Sequence, residues 1–275
     1  MIAAPADVEE ALRLKHGPVA AHGQWTLPMH RRFGYVSPDA WYEGTVLRLC
    51  RPGTAWLDVG GGRHVFPHND RAAELLARRC RLLVGLDPSP NILANAHVHE
   101  RLQRPVEACE PGRAFGLITL RMVAEHLADP AAAVAALARL LEPGGQVVVY
   151  TVSRFAPLSL LGAAASHRAH LLAMRALFHG EPRDAHPAYY RMNTRRCLRQ
   201  LFARHGLHEQ DFRRLDDCRA TIAHRRLHHA ELTVWRALRA LRLPYPEACL
   251  LGVYAHLTAP AAATTRSTNA PALPK

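Results

Sequence analysis

The stretch Trp56-Leu57-Asp58-Val59-Gly60-Gly61-Gly62-Arg63-His64 constrains the fold more than any other part of the chain. A short apolar run ends on an acid and turns through three glycines. Glycine adopts left-handed backbone conformations without a steric penalty and lets main-chain N–H groups come close to a ligand. The acid narrows the ligand's charge. A carboxylate beside the turn repels a pyrophosphate and attracts an ammonium or a sulfonium.

The pattern around this turn is that of alternating strands and helices. Ala55 to Val59 reads as a buried strand and Asn69 to Arg79 as a helix with Ala73, Leu76 and Ala77 on one face. Arg81 to Asp87 is a second apolar strand that ends in an acid, Val98 to Gln103 a third, Phe115 to Leu120 a fourth and Gln146 to Val152 a fifth. Asp129-Pro130 opens a helix by two rules, an Asp N-cap and a Pro at the first helical position. Val134, Leu137 and Leu141 share one face of that helix, which stops at Glu142-Pro143-Gly144-Gly145. Strands that are apolar throughout and separated by helices predict a parallel sheet covered on both sides. Ligands of such sheets bind beyond the carboxyl ends of the strands. Asp58, Asp87, Glu107 and Arg121 all fall at or just after those ends.

The flanks read differently. Residues 1–50 predict a helical lid, with Asp7 capping a helix through Arg13 and Ser37-Pro38-Asp39 starting another. Between them His30 to Tyr35 reads as a basic, aromatic loop. Residues 51–155 form the expected core and residues 156–193 a helical cap insert. Residues 194–258 complete the core with a helix at Thr194 to Arg204, a strand at Glu209 to Leu215, a helix at Ala230 to Leu241 and a strand at Cys249 to Leu257. The tail at 259–275 is Ala, Thr and Pro and is expected to be disordered.

Bulk properties bound the function. The sequence of 275 residues is 49% apolar, enough for a large core. Its longest apolar runs are too short to span a bilayer, and no signal peptide is expected. Six scattered cysteines with no C-x-x-C pair favour a reducing cytoplasm over a disulfide framework or zinc site. The formal charge of +12 admits an acidic substrate or a nucleic acid. The Arg residues are spread along the chain, however, and no aromatic ladder alternates with them, so nucleic acid is not the expected partner. No metal is expected, because the histidines fit no compact zinc pattern, although His167 and His170 could share a helix face.

Four segments in order resemble the class I S-adenosylmethionine-dependent methyltransferases, in particular their small-molecule, type 11/12-like branch. They are Leu57-Asp58-Val59-Gly60-Gly61-Gly62, then Val84-Gly85-Leu86-Asp87-Pro88-Ser89, then Arg121-Met122-Val123-Ala124-Glu125-His126-Leu127-Ala128-Asp129-Pro130, then Leu137-Ala138-Arg139-Leu140-Leu141-Glu142-Pro143-Gly144-Gly145. Together they cover about residues 50–155. The resemblance implies an α/β fold, a Rossmann-like doubly wound seven-stranded sheet, with S-adenosyl-L-methionine as cofactor and S-adenosyl-L-homocysteine as product. It implies that Asp58 and the Gly60, Gly61 and Gly62 backbone meet the methionine end and that Asp87, followed by Pro88, anchors the ribose. Glu107 and Ala108 would meet the adenine, and Arg121 and Met122 would lie along the cofactor.

Two departures stand out. His64 fills the third glycine position, which crowds the loop or delays the next helix to about Asn69, and Gly116 stands where many relatives carry Asp. His126 is the expected general base, since imidazole titrates near neutrality. Its partner would be Tyr35 or Tyr42, by resemblance to phosphobase methyltransferases; the competing reading has Glu125-His126 orienting the next helix. Arg31, Tyr42, His167, Tyr189, Tyr190 and Arg191 are the expected substrate contacts, a basic and aromatic set that favours an acidic or phenolic acceptor. The expected protein is a cytoplasmic monomer or homodimer that methylates a small molecule on O, N or C. The alternatives are a tRNA- or rRNA-modifying methyltransferase, a nicotinamide-dependent oxidoreductase, or a non-catalytic protein on the same fold. The oxidoreductase is disfavoured, because Val65 replaces the last small residue of the dinucleotide fingerprint.

Overall fold

A computed structural model of the chain describes residues 1–17, 25–109, 112–164 and 187–257. Most of the expected cap insert and the expected tail lie outside them. In chain order the elements are α1 (Pro5–His16), α2 (Thr26–Phe33), α3 (Pro38–Leu49), β1 (Ala55–Val59), α4 (Asp70–Arg79), β2 (Leu82–Leu86), β3 (Glu100–Leu102), β4 (Phe115–Arg121), α5 (Pro130–Leu140), β5 (Leu141–Val152), α6 (Pro157–Ala164), α7 (Arg195–Arg204), β6 (Leu207–Asp216), α8 (Arg225–Ala240) and β7 (Ala248–His256). The seven strands make one sheet in the order β3-β2-β1-β4-β5-β7-β6. β7 runs antiparallel between β5 and β6, and the pairings from β3 to β5 are parallel. The expected Rossmann-like doubly wound sheet is therefore present. Its order reverses between β1 and β4, which is where such sheets bind ligands.

Strand periodicity sorts side chains into two cores. Trp56, Leu117, Val148 and Tyr150 face one side, against α1, α3 and α4. Leu57, Val59, Ile118, Leu120, Val147 and Val149 face the other, against α5 and α7. Successive residues point to opposite faces of a strand. Asp58 and Thr119 accordingly emerge on the α3 side, each next to a residue buried on the opposite side. A third, smaller cluster joins Phe33 and Tyr35 to Cys218, Leu232, Trp235 and Tyr245 and docks α2 on α8.

Local chemistry sets the helix ends. Asp129 Oδ1 accepts from the Ala131 and Ala132 N–H groups at 3.0 Å each, which caps α5 as expected. Asn69 caps α4 by accepting from Ala72 N at 3.3 Å, and the helix begins late, as the His64 departure implied. Asp7 is not the cap of α1. It sits one turn in, and its carboxylate accepts from Ala4 N at 2.7 Å. The stretch expected as a loop from His30 is instead the second half of α2, which ends where Gly34 turns left-handed. Helix α8 starts at Arg225 rather than Ala230, because His228 is fully buried there. Its Nε2 meets His30 Nε2 at 2.8 Å, so a residue type that reads as polar in sequence is part of a packed face. β5 also starts earlier than expected. Leu141 pairs with Phe115, the Gly144 turn shifts the register, and regular pairing resumes at Gln146.

No helix among the described residues is long and apolar enough to cross a membrane. Leu137 is fully buried between α5 and the sheet. Leu137→Ala is expected to lower unfolding stability by about 2–5 kcal/mol in urea denaturation, while Ala substitution of the exposed Arg139 on the same helix changes it by about 0.5 kcal/mol or less.

Candidate active site

The glycine turn leaves β1 and folds back over the end of β2. Gly60 N and Gly61 N both donate to Leu86 O, at 2.7 and 3.3 Å. Gly62 N donates to Asp87 Oδ2 at 3.1 Å. Asn95, fully buried, donates to the carbonyls of Gly61 and Gly62 at 3.1 and 3.2 Å. Sequence reasoning expected these N–H groups to face a ligand. Their partners lie within the protein instead, so the loop offers a ligand close approach to bare backbone rather than a nest of donors. Gly60 is required by shape, since its φ is +72° and a Cβ there would lie 2.1 Å from Val123 Cγ2. His64 lies past the turn, more than half exposed, with Nδ1 3.6 Å from Asp70 Oδ1, so it does not crowd the loop.

Two carboxylates flank the turn. Asp87 accepts from Gly62 N and, through Oδ1, from Ser89 N at 2.8 Å. This fixes the orientation of the carboxylate while each oxygen keeps accepting capacity. Asp58 is 2% exposed and accepts from Thr119 Oγ1 at 2.7 Å, and Thr119 in turn accepts from Trp56 Nε1 at 2.8 Å. Burial pushes the Asp58 carboxyl up to about 7, against the lowering pull of the Thr119 hydroxyl and Arg121. Such a group is easily tipped to its ionised form by a nearby cation.

The third wall comes from α3. Asp39 forms ion pairs with Arg121 at 3.2 Å and with Arg219, and Tyr150 donates to it at 3.1 Å. Burial favours the neutral acid, but Arg219 and then Arg121 outweigh it and hold Asp39 well below the usual carboxylate range. Asp217 takes the other side of the Arg219 guanidinium at 2.7 Å. Tyr42 stacks on Tyr150 with ring centres 5.2 Å apart, and its buried hydroxyl has no hydrogen-bond partner among the described residues. Asp39, Thr119, Tyr150 and Arg219 were not singled out from sequence. Only the strand alternation that puts Thr119 beside Asp58 was available there as a signal.

Beyond β4, Met122 turns left-handed with φ 51° and its N–H donates to Tyr150 O at 2.8 Å. Glu125 is buried, burial raises its carboxyl, and it accepts from Thr151 at 2.7 Å. Its carbonyl accepts from Tyr189 N and Tyr190 N at 2.7 and 3.2 Å. His126 Nδ1 lies 2.9 Å from Pro187 O. The 187–191 segment is thus tied to the turn after β4, and Arg191 donates to Ala128 O while lying over the Tyr189 ring.

The expected residues divide accordingly. Asp58, Gly60, Gly61, Gly62 and Asp87 come together at the ends of β1 and β2, and Pro88 follows, exposed. Glu107 and Ala108 stand on the next loop, in one helical turn against α5, with Glu107 half-buried. Arg121 turns toward Asp39, and His126, Tyr189, Tyr190 and Arg191 gather beyond β4. Tyr35 is not part of this group. Its hydroxyl accepts from Cys218 N at 2.9 Å and donates to Asp216 O at 3.4 Å, and its ring packs edge-on to Trp235. A tyrosine fixed at both ends in the α2–α8 cluster is not placed as a partner for His126. Arg31 is on the outer face of α2, paired with Glu9 at 2.9 Å. His167 lies outside the described residues.

Residues 29–209, more than half of the chain, match a family model described as a methyltransferase domain. A ubiquinone biosynthesis O-methyltransferase of Pectobacterium carotovorum is 32% identical over 154 residues, which is 50% of this chain and 58% of that protein. A protein of the same name from Bradyrhizobium diazoefficiens is 30% identical over 142 residues, 46% of this chain and 54% of that one. The chain thus spans little more than half the length of these curated relatives. Among solved structures, an S-adenosylmethionine-dependent methyltransferase from Mesorhizobium loti matches with a TM-score of 0.51 and 17% identity, over 79% of this chain and 99% of that one. At that identity the likeness is one of fold.

Gly60→Ala is expected to cost about 2–4 kcal/mol, the sum of a left-handed backbone penalty and a clash with Val123. Adding Val123→Ala removes the colliding methyl and should recover the clash but not the backbone part. Urea denaturation of the two variants separates the contributions.

Proposed function

The chain belongs to the methyltransferase-domain family, and we propose that it transfers the methyl group of S-adenosyl-L-methionine to a hydroxyl of a small, acidic or phenolic acceptor. The observation that carries this reading is the pair of oriented carboxylates, Asp58 and Asp87, on either side of a side-chain-free turn. The set fits the cofactor chemically. Among the described residues the hydrogen-bond partner of the buried Asp58 carboxylate is a neutral hydroxyl, and the carboxylate gains from a cationic methionine end. Asp87 has lone pairs left for two vicinal ribose hydroxyls. The Gly60 to Gly62 backbone gives the ligand close approach, and Glu107 with Ala108 on the following loop would meet the adenine. The loop N–H groups are already bonded internally, which argues against a dinucleotide pyrophosphate in the same place.

When bound, the cofactor supplies an electrophilic methyl on a sulfonium. The rest of the task falls to positioning the acceptor in line, which accounts for most of the acceleration in reactions of this kind. Pro187 O can only accept, so the His126 proton sits on Nδ1 and the basic nitrogen of the neutral ring is Nε2. We assign Nε2 the role of taking the acceptor's proton as the new bond forms. The segment from Pro187 to Arg191, tied to Glu125 and Ala128, positions that ring and contributes Tyr189, Tyr190 and Arg191 to the acceptor side. The choice of a hydroxyl acceptor follows the names of the O-methyltransferase relatives. The same reading places the protein in the cytoplasm.

Methyl transfer from isotopically labelled cofactor into a panel of phenolic acids tests the reading. Incorporation into RNA, with none into small molecules from a nuclease-treated extract, overturns it. His126→Gln should lower kcat by about 10²-fold or more with cofactor affinity unchanged. An unchanged kcat leaves His126 the role of orienting the next helix.

Asp58 gives a second check. Its folded carboxyl lies near 7, above the ordinary 3.8, so the apo protein holds a proton there below neutrality. An α-ammonium group placed beside Asp58, which S-adenosylhomocysteine keeps although it has no sulfonium, favours the ionised form and releases that proton. S-Adenosylhomocysteine should therefore bind more tightly at pH 8 than at pH 6, and calorimetry should show proton release near pH 6. Asp58→Asn should bind more weakly at pH 8 and lose the dependence.

A further inference from the structure

A cavity of about 370 Å³ opens between the α2–α3 connection, the end of β6 and α8. Its walls include Tyr35, Trp41, Arg213, Arg214, Trp235 and Arg239. The volume is in the range of small-molecule sites. It lies at the carboxyl end of β6, three strand spacings from β4, beyond which His126 stands, or about 14 Å along the sheet at the usual spacing. Methyl transfer needs reacting atoms within about 3.5 Å, so this cavity is not where the methyl moves. The half-buried Asp39–Arg219 ion pair belongs to the intervening wall: α3 carries Asp39 into that pair and Trp41 to the cavity.

The wall chemistry is specific. The Arg213 guanidinium lies 4.0 Å from the centre of the Trp41 ring, and that of Arg239 lies 5.2 Å from the centre of the Trp235 ring. Cation–π contact holds each guanidinium against an indole and leaves its N–H fork available. Among the described residues neither side chain makes an ion pair, whereas the neighbouring Arg214 is engaged by Asp216 at 3.1 Å and by Tyr245 O. The rest of the lining is Val36, Leu215 and Tyr35, whose ring meets Trp235 edge-on, with Asp216, whose carboxylate is taken up by Arg214 and by Trp235 Nε1 at 3.0 Å. Two uncompensated planar cations at the mouth of an aromatic cleft match a planar ring that carries a carboxylate. The carboxylate can take a bidentate guanidinium pair while the ring enters among the indoles.

We propose that this cavity is a second binding site, separate from the cofactor cleft, for an aromatic carboxylate. The ligand's carboxylate pairs with Arg213 and Arg239, and its ring lies against Trp41 and Trp235. The site stands independently of the methyl-transfer reading, since no part of it uses the cofactor residues.

The test titrates 2-naphthoate into the full chain by calorimetry, with 2-naphthamide and inorganic phosphate as the uncharged and the non-aromatic comparisons. Saturable one-site binding of the naphthoate is expected, with the other two at least about tenfold weaker, the scale of one charge-assisted hydrogen bond. Arg213→Gln combined with Arg239→Gln should weaken naphthoate binding by at least that factor while near-ultraviolet circular dichroism stays native. If the double variant does not fold, Arg239→Gln alone, on the exposed side of α8, carries the comparison. Saturating S-adenosylhomocysteine should leave naphthoate affinity unchanged. Equal binding of the amide or of phosphate, indifference to the Arg variants, or mutual exclusion with S-adenosylhomocysteine each overturns the proposal.

Discussion

The placement of Asp39 between Arg121 and Arg219 is the interaction on which the rest of the site depends. Its three partners come from the end of β4, the C-terminal part of β5 and the loop after β6, and Asp39 lies in the first turn of α3. One carboxylate therefore ties the N-terminal helices to three separate parts of the sheet. Taking these charges partly out of water is costly, and a half-buried ion pair returns that cost best when its hydrogen bonds are complete. Here they are nearly so: Arg219 also bridges to Asp217, and Tyr150 donates its hydroxyl to Asp39. Asp39 and Asp217 balance the two guanidiniums. The gain from this arrangement is geometric. Apolar packing alone would let α3 slide over the sheet, whereas a charge-assisted network has one satisfied register.

That register fixes what stands above Asp58. With α3 pinned, Tyr42 stacks on Tyr150 and Glu43 reaches Asn69, whose amide donates to it at 2.6 Å. Asn69 also caps α4, the helix after the glycine turn. The N-terminal helices and the glycine loop are thus coupled through buried polar contacts, not merely juxtaposed. The cost of excluding water from Asp58 shows in the raised position of its carboxyl. A buried acid near neutrality destabilises the folded state as pH rises from about 4 to about 7, because the unfolded chain has already released the proton. A bound cation removes that penalty, so one group carries both a stability cost in the free protein and a source of ligand affinity.

Much of this was legible from the sequence and some was not, for physical reasons. The strands, the crossover helices and the Asp129 cap follow from local rules, since period-2 burial, period-3.6 burial and capping chemistry each need only a short window. The same holds for Asp58, Gly60 and Asp87, which sit at the carboxyl ends of strands. The wall formed by Asp39, Thr119, Tyr150 and Arg219 depends on contacts between residues up to 180 apart in sequence, and no short window carries that information. Helix α8 was expected to be shorter because His228 has no apolar signature, although its burial against His30 makes it part of a core. Tyr35 was expected near the chemistry by resemblance to phosphobase methyltransferases, with no local signal for where its side chain packs. The backbone of Asp216 and Cys218 holds its hydroxyl instead.

The glycine turn itself separates two classes of ligand that share this sheet. A pyrophosphate site needs N–H groups pointing outward and a helix that starts immediately behind them. In this chain Gly60 and Gly61 donate to Leu86, Gly62 donates to Asp87, and the next helix waits until Asp70. The interval from Arg63 to Asn69 also explains how His64 is tolerated: with no helix beginning at that point, its Cβ has no adjoining turn to crowd. What remains for recognition at the turn is a smooth backbone surface between two carboxylates of different character. Asp87 is oriented by amides and suited to hydroxyls, while Asp58 is dry and suited to a positive charge. A ligand that offers a diol and a cation satisfies both, whereas a diphosphate would meet two acids and no unpaired donor on this turn.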